Sequence, residues 1–322
     1  MEKKATREAF GEALLELGRV NKDIVVLSGD LEDSTRAEYF KNEFPERFFN
    51  LGIAEQDIIA TAAGMSTIGI IPFACSFAVF LTNRAYDQIR ISICYNNRNV
   101  KLIGSHGGLT VGPDGATAQS PEDVAIMRAL PNMKVICPVD AIETKKATMA
   151  IAEIRGPVYM RLSRPPLPIV TKEQDEFIMG KANIMRNGND VTVIACGLMV
   201  YEALVAAETL YKEGIETRVI NMHTIKPIDE EVIIKSAMDT GAIVTAEEHQ
   251  INGGLGSAVA EVIVRNAPVP MEMVAVNDTF GESGEAQELL VKYHLKEIDI
   301  INAVKRVIKR KGSFGKSSIK RG

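Results

Sequence analysis

Cysteine is scarce in this chain of 322 residues, and the four present, Cys75, Cys94, Cys137 and Cys196, lie far apart with no paired spacing. Neither a zinc site nor a secreted disulfide framework is expected from that pattern, and a reducing cytoplasm is the simplest setting. Neither sign of charge dominates. With 37 Lys and Arg against 42 Asp and Glu, the formal net charge of −5 gives no reason to expect nucleic acid. The opening residues, MEKKATREAF, turn amphipathic and helical at once and lack the apolar core of a signal peptide. One uncharged stretch, Ile58 to Leu81, is long enough to span a bilayer. Gly64, Gly69 and Pro72, with several Ser and Thr, instead divide it into a helix, a short strand and a loop. A helix apolar all round is also what a buried dimer interface requires.

What remains is a globular chain, 46% hydrophobic and 25% charged, long enough for two full-sized cores. After a helical pattern from Ala5 to Arg19, apolar strand patterns begin at Ile24, Ile70, Val100, Lys134 and Val158, with helical patterns from Glu55, Thr82, Glu122 and Ile142 between them. Such alternation predicts a parallel sheet with helices on both faces. SRPPLPIVTKEQDEF is the best domain boundary, because proline-rich segments cannot join a helix or a central strand, and two separate cores are expected. Beyond it the pattern repeats, with strands at 191–195, 217–220, 242–246 and 273–276. The expected fold is α/β with two doubly wound domains, 1–168 and 187–310, a linker at 169–186 and a basic, solvated tail at 311–322.

Three segments carry candidate chemistry. FNLGIAEQDIIATAAGM places one carboxylate, Glu55, at the first turn of an Ala/Ile-rich helix with no further charge than Asp57. Burial disfavours an ionised carboxyl while a helix N-terminus favours it, and a group so balanced can hold or pass on a proton near neutral pH. The plainer reading is a glutamate that satisfies the orphan N–H groups of its own helix. GDLEDST follows the first strand at the edge where α/β sheets bind ligands, which nominates Asp30 and Ser34, although Ser34 also suits a helix N-cap before TRAEYFKNEF. GSHGGLTVGPDGATAQSPED is polar, glycine-rich and placed after a strand, as a substrate loop would be. NGGLG, at 252–256, can hold an anion at a helix start or simply make a tight strand-to-helix turn.

LGIAEQDIIATAAGM, PFACSFAVF, RAYDQIR, GSHGGLTVGPDG and YMRLSRP resemble the pyrimidine-binding domain of the transketolase family, and the resemblance extends over nearly the whole chain up to the basic tail. It implies a thiamine diphosphate enzyme in which Glu55 hydrogen-bonds the pyrimidine ring nitrogen and promotes the imino tautomer that takes the proton from thiazolium C2. Phe77 and Phe80 match the aromatics that pack against the aminopyrimidine, and Asp30 falls near the cofactor. Arg7, Ser34, His106 and Arg164 match ligands of the sugar phosphate, and Asp114 an aspartate that binds a donor hydroxyl. A second histidine found in bacterial and yeast relatives corresponds to Ala118 here. A third aromatic of many relatives falls at Asn83 by counting from Phe80, whereas RAYDQ fits a different register, so Asn83 is given no role. The family's C-terminal domain supports the dimer and carries no catalytic residue.

The family holds the cofactor diphosphate through a metal ion bound by a GDG motif and a following Asn, and this chain has no such element. Hard oxygen ligands of that kind suit magnesium or calcium. The chain therefore resembles the C-terminal half of a split transketolase. The resemblance implies an N-terminal partner chain with the metal site, an α2β2 assembly, and transfer of a two-carbon ketol unit between phosphorylated sugars of the pentose phosphate pathway. The chain alone is expected to be inert. The β subunit of a 2-oxo acid dehydrogenase is the enzymatic rival, and a non-catalytic structural subunit, suggested by Ala118, is the other alternative.

Overall fold

The computed structural model describes residues 1–318. Its first sheet has seven strands: β2 (Ile24–Ser28), β3 (Phe48–Asn50), β4 (Ile71–Phe77), β5 (Lys101–Ser105), β6 (Lys134–Ile136), β7 (Val158–Arg161) and β12 (Thr224–Lys226), in the order β12-β6-β7-β5-β4-β2-β3. The pairs from β6 to β3 are parallel, whereas β12 is antiparallel to β6. Every residue of β2, β5 and β7 is buried, the signature of a parallel sheet covered on both faces. At one corner β1 (Lys3–Ala5) pairs antiparallel with β8 (Pro166–Pro168), a two-strand ribbon in which prolines cost little. The second sheet joins β9 (Asn183–Arg186), β10 (Val191–Ala195), β11 (Thr217–Asn221), β13 (Ile243–Gln250) and β14 (Met271–Val276) in the order β14-β13-β10-β11-β9, parallel except for β9.

Several expectations change in the structure. The two cores are not separate: one buried apolar cluster runs from Val25, Ile58 and Tyr159 through Ile194 and Ile220 to Leu255, and another draws Leu109, Val139 and Leu167 into the second unit. Proline halts a strand locally but does not stop later chain from returning, and β12 does so by joining the first sheet. β9 lies inside the segment read as linker. The helix expected from Thr82 to Tyr95 is a π-helix over Phe80–Arg84, one α-turn and a second π-helix over Ile89–Tyr95. The last helix, Glu297–Ser318, extends into the segment read as a solvated tail, and residues 319–322 of that tail lie outside the described residues. The four cysteines are free and buried, but Cys137 lies close enough to Cys196 to raise the pKa of its buried thiol, a proximity that sequence spacing cannot show. Among the described residues no helix is long and apolar enough to cross a membrane. Ile58–Leu81 divides into the Glu55–Met65 helix, a 3-10 turn, β4 and the start of the π-helix.

Candidate active site

The sheet topology brings the nominated residues to one edge. Asp30 and Ser34 follow β2, Glu55 follows β3, Phe77 ends β4, His106 follows β5 and Arg164 follows β7, so all lie where the parallel strands end at their carboxyl termini. Arg7 opens the Thr6–Val20 helix, anchored beside Arg164 by the ribbon of β1 and β8 and by the Ser163 amide donating to Thr6 Oγ1 at 2.8 Å.

Five side chains form a stacked ladder. His106 lies on Phe77 with ring centroids 3.9 Å apart and an interplanar angle of 21°. Phe77 stacks on Phe80 at 5.6 Å and 18°. The Arg84 guanidinium lies over the Phe80 ring, 4.2 Å from its centroid, and its Nη1 reaches both oxygens of Glu55 at 3.2 and 3.3 Å. Glu55 is only 3% exposed, whereas the Arg84 side chain is about half exposed, so the cation closes the carboxylate off from solvent. This pairing offsets the desolvation of a buried charge, and stacking on Phe80 holds the guanidinium in place. The π-helix explains the register. Phe80 and Arg84 share a face of its wide turn, and Asn83 turns away, its amide donating to Glu122 Oε1 at 2.8 Å.

At the other end of the ladder is a basic cluster. His106 is 2% exposed and its Nδ1 lies 2.8 Å from Ser105 Oγ. Burial, and then the charges of Arg7, Arg164 and Arg36, lower its pKa to about 3, so the imidazole is neutral at physiological pH. The Arg7 pKa is lowered as well, first by burial and then by Arg36 and Arg164. The Nε atoms of Arg7 and Arg36 are buried without a hydrogen-bond partner. Two guanidinium groups with unsatisfied donors, Arg7 and Arg36, together with Arg164, surround a neutral imidazole and make a cradle for an anion. Asp30, Arg36 and His106 each adopt left-handed backbone, with φ of 62°, 63° and 60°, a conformation that costs non-glycine residues energy and tends to collect at functional sites.

The remaining nominated residues fall as follows. Asp30 is exposed and exchanges two hydrogen bonds with Asn50, each 3.2 Å. Ser34 caps no helix: it is the third residue of the single turn Glu32–Thr35, and its carbonyl accepts from Arg7 Nη1 at 2.8 Å. Asp114, in the 3-10 turn Gly112–Asp114, faces Arg164 Nη1 at 3.6 Å, and Arg164 also donates to the Val111 carbonyl. Ala118 is buried. Sequence reasoning missed Arg36 and Arg84. The quoted RAYDQ motif contained Arg84, but nothing local signals that it meets Glu55, and Arg36 lay within a helical pattern that gave no reason to single it out.

Residues 2–169 match the transketolase pyrimidine binding domain, and residues 180–300 match the transketolase C-terminal domain. The chain belongs to the transketolase family. It is 47% identical over 310 residues to a protein of Methanocaldococcus jannaschii named "Putative transketolase C-terminal section", covering 95% of this chain and 97% of the relative. It is 44% identical over 305 residues to the 6-deoxy-6-sulfo-D-fructose transketolase subunit SqwH of Clostridium sp., with 95% of each covered. A solved structure described as a split gene transketolase, inactive beta4 tetramer, superposes with a TM-score of 0.90 at 50% identity, over 95% of this chain and 99% of that one.

Transketolase-family membership implies thiamine diphosphate, and the residues present fit its pyrimidine end. A carboxylate 3% exposed at a helix start, beside the rings of Phe77 and Phe80, is the acceptor and the apolar wall an aminopyrimidine ring needs. Among the described residues there is no group of three or more His, Cys, Asp or Glu that could hold a metal ion.

Proposed function

We propose that this chain is the C-terminal subunit of a split transketolase, which moves a two-carbon ketol unit from a ketose phosphate to an aldose phosphate, as in the pentose phosphate pathway. The observation that carries this reading is the cradle of Arg7, Arg36 and Arg164 around neutral His106, joined to Glu55 by the stacked ladder. A phosphorylated sugar with its tail on the arginines would lie with its carbonyl end toward the aromatic rungs. Pyruvate and the branched-chain 2-oxo acids carry their one anion beside the reacting carbonyl and have none at the tail to occupy the cradle.

Thiamine diphosphate, when bound, supplies the carbanion chemistry that cleaves a bond beside a carbonyl. The chain's own residues do the rest. Glu55 offers a carboxylate to the pyrimidine ring and holds or passes a proton there, with Arg84 compensating its charge. Phe77 and Phe80 bind the ring faces and exclude water. His106, held neutral, can accept or donate a proton at a sugar hydroxyl, Asp114 accepts from another hydroxyl, and Arg7 and Arg164 hold the phosphate while Ser34 and Asp30 line the same edge.

The missing half is assigned to an N-terminal transketolase chain that carries the diphosphate and its magnesium or calcium, in a cytoplasmic α2β2 assembly. Ile53, Ile68, Ile91 and Tyr95, exposed on either side of the Glu55–Met65 helix, supply an apolar contact surface for it. The solved relative's description as an inactive tetramer of β chains agrees with a subunit inert by itself.

The test is to purify this chain with the neighbouring chain that bears GDG and Asn, then assay ketol transfer from xylulose 5-phosphate against oxidation of pyruvate. Oxidation of pyruvate without ketol transfer overturns the reading. Calorimetric titration of the isolated chain with thiamine diphosphate and magnesium should give little heat until the partner is added. Tight metal-dependent binding by the chain alone refutes the split-subunit assignment. Comparing phosphorylated with sulfonated ketoses identifies the anion, since the name of the Clostridium relative specifies a sulfonated sugar.

A further inference from the structure

The loop that carries His106 and Asp114 is held by the second unit of the chain. Glu248, on β13, is 5% exposed and its Oε1 accepts from the Thr110 amide at 2.6 Å. Gly108, with φ of 80°, lets the carboxylate approach, because any Cβ there would collide with it. Arg161 reaches across the same seam, donating from Nη1 to the Glu248 carbonyl at 2.9 Å and from Nη2 to the Ser120 carbonyl at 3.0 Å. Gln119 Nε2 donates both to Leu109 within the loop, at 3.1 Å, and to the Glu282 carbonyl of the second unit, at 2.9 Å. Leu109 itself is fully buried in the second unit's apolar cluster. The 106–120 loop is therefore tied to the second unit near both of its ends, at Leu109 and Thr110 and at Gln119, while Arg161 of β7 links Ser120 to the Glu248 carbonyl.

We propose that Glu248 is a positioning residue for sugar binding, acting through the Thr110 amide to hold the 106–120 loop so that His106 faces the arginine cradle and Asp114 faces Arg164. The C-terminal unit thus has a part in substrate affinity without touching substrate. The kinetic consequence rests on the transketolase reading, whereas the structural consequence does not. A loop released from Glu248 loses alignment of the sugar-binding groups, the His106 end of the ladder included, but keeps the rungs from Phe77 to Glu55, because Glu55, Phe77, Phe80 and Arg84 belong to segments outside the loop.

The test compares Glu248→Ala with Glu248→Gln in the full chain, by hydrogen exchange, and in the assembled enzyme with its partner, by kinetics. Gln keeps an oxygen that accepts from Thr110 and should behave as the parent. Ala should speed amide exchange in peptides covering 106–120, leave 55–65 unchanged, and raise KM for the ketose phosphate about tenfold, the worth of one strong hydrogen bond. Thiamine diphosphate affinity should stay within about twofold, because Glu55, Phe77 and Phe80 keep their places. Should Glu248→Ala fail to fold, Gln119→Met, which breaks the other tie at similar volume, is read by the same measurements. If Ala matches Gln in exchange and KM, or if protection is lost in 55–65 as well as in the loop and cofactor affinity falls together with thermal stability, the positioning role is overturned. If the assembled enzyme transfers no ketol unit, the functional reading fails and the exchange result alone decides the clamp.

Discussion

The two sheets end at carboxyl edges built alike and finished differently. At the edge of the first, Arg7 and Arg36 keep buried Nε donors without partners, three residues adopt left-handed backbone, and a carboxylate is closed off by a half-exposed arginine. The second has a glycine-rich turn leading into the Leu255–Asn266 helix, the usual form of an anion site, but the anion is the chain's own. Glu247 accepts from the Leu255 and Gly256 amides, each at 2.7 Å, and Gly254 has no Cβ because one would collide with Glu247 and His249. Where the amides of a helix start are satisfied by the chain's own carboxylate the turn is structural, and where guanidinium donors are left wanting a site can bind. The difference locates function better than the shared architecture does.

The largest effect expected from breaking this comparison is at Glu55. Glu55→Gln keeps shape and a weaker bond to Arg84, so the fold should persist while turnover in the assembled enzyme falls about a hundred- to ten-thousand-fold, the usual cost of removing a positioned proton-transfer group. Exchange of the thiazolium C2 hydrogen, followed by NMR after quenching, checks it directly. An unchanged exchange rate removes Glu55 from the mechanism.

Glu247→Ala attacks the other edge. It strands two buried helix-terminal amides, each worth about 1 to 3 kcal/mol when left unsatisfied. A loss of several kcal/mol in urea denaturation, with unchanged KM for sugar in the folded fraction, is the expected pattern. A specific loss of sugar affinity instead would mean that this edge binds substrate.

Arg164→Ala should weaken phosphosugar binding by roughly 1.5 to 3 kcal/mol, read as a higher KM for phosphorylated acceptors with little change for glycolaldehyde. Equal losses for both would make Arg164 a purely structural partner of Asp114 and Val111.

How much of this was legible in the chain follows from how local each signal is. Glu55 at a helix start and the parallel strands of the first sheet depend on neighbours in sequence and stand close to where the pattern put them, whereas Phe77 and Phe80 are nominated by the family resemblance and not by their spacing. Asn83 was beyond counting because a π-helix has more residues per turn than an α-helix, and only the backbone reveals that Arg84 is the rung over Phe80. Glu248 and Thr110 are 138 residues apart, and no local pattern announces a hydrogen bond between them. The expectation of separate cores failed for the same reason, since the pairing of Thr224 with Ile136 is visible only in three dimensions.

The smallest expected effect concerns His106 and tests whether the basic edge is built as described. Its folded-state pKa of about 3 lies below the ordinary value of 6.5, from burial first and from Arg7, Arg164 and Arg36 after it. Between those two values the unfolded chain binds the proton and the folded chain does not. His106 therefore lowers stability as the solution is acidified through that window, and contributes nothing to the pH dependence above it. For one such group the loss from neutral pH to pH 5.5 is about 1.4 kcal/mol. Paired urea titrations of the parent and His106→Gln at pH 7.5 and 5.5 measure it, because the glutamine variant lacks the proton site and should show a pH slope shallower by that amount. Equal slopes would mean that His106 titrates alike in both states, and the neutral imidazole at the centre of the arginine cradle would have to be given up.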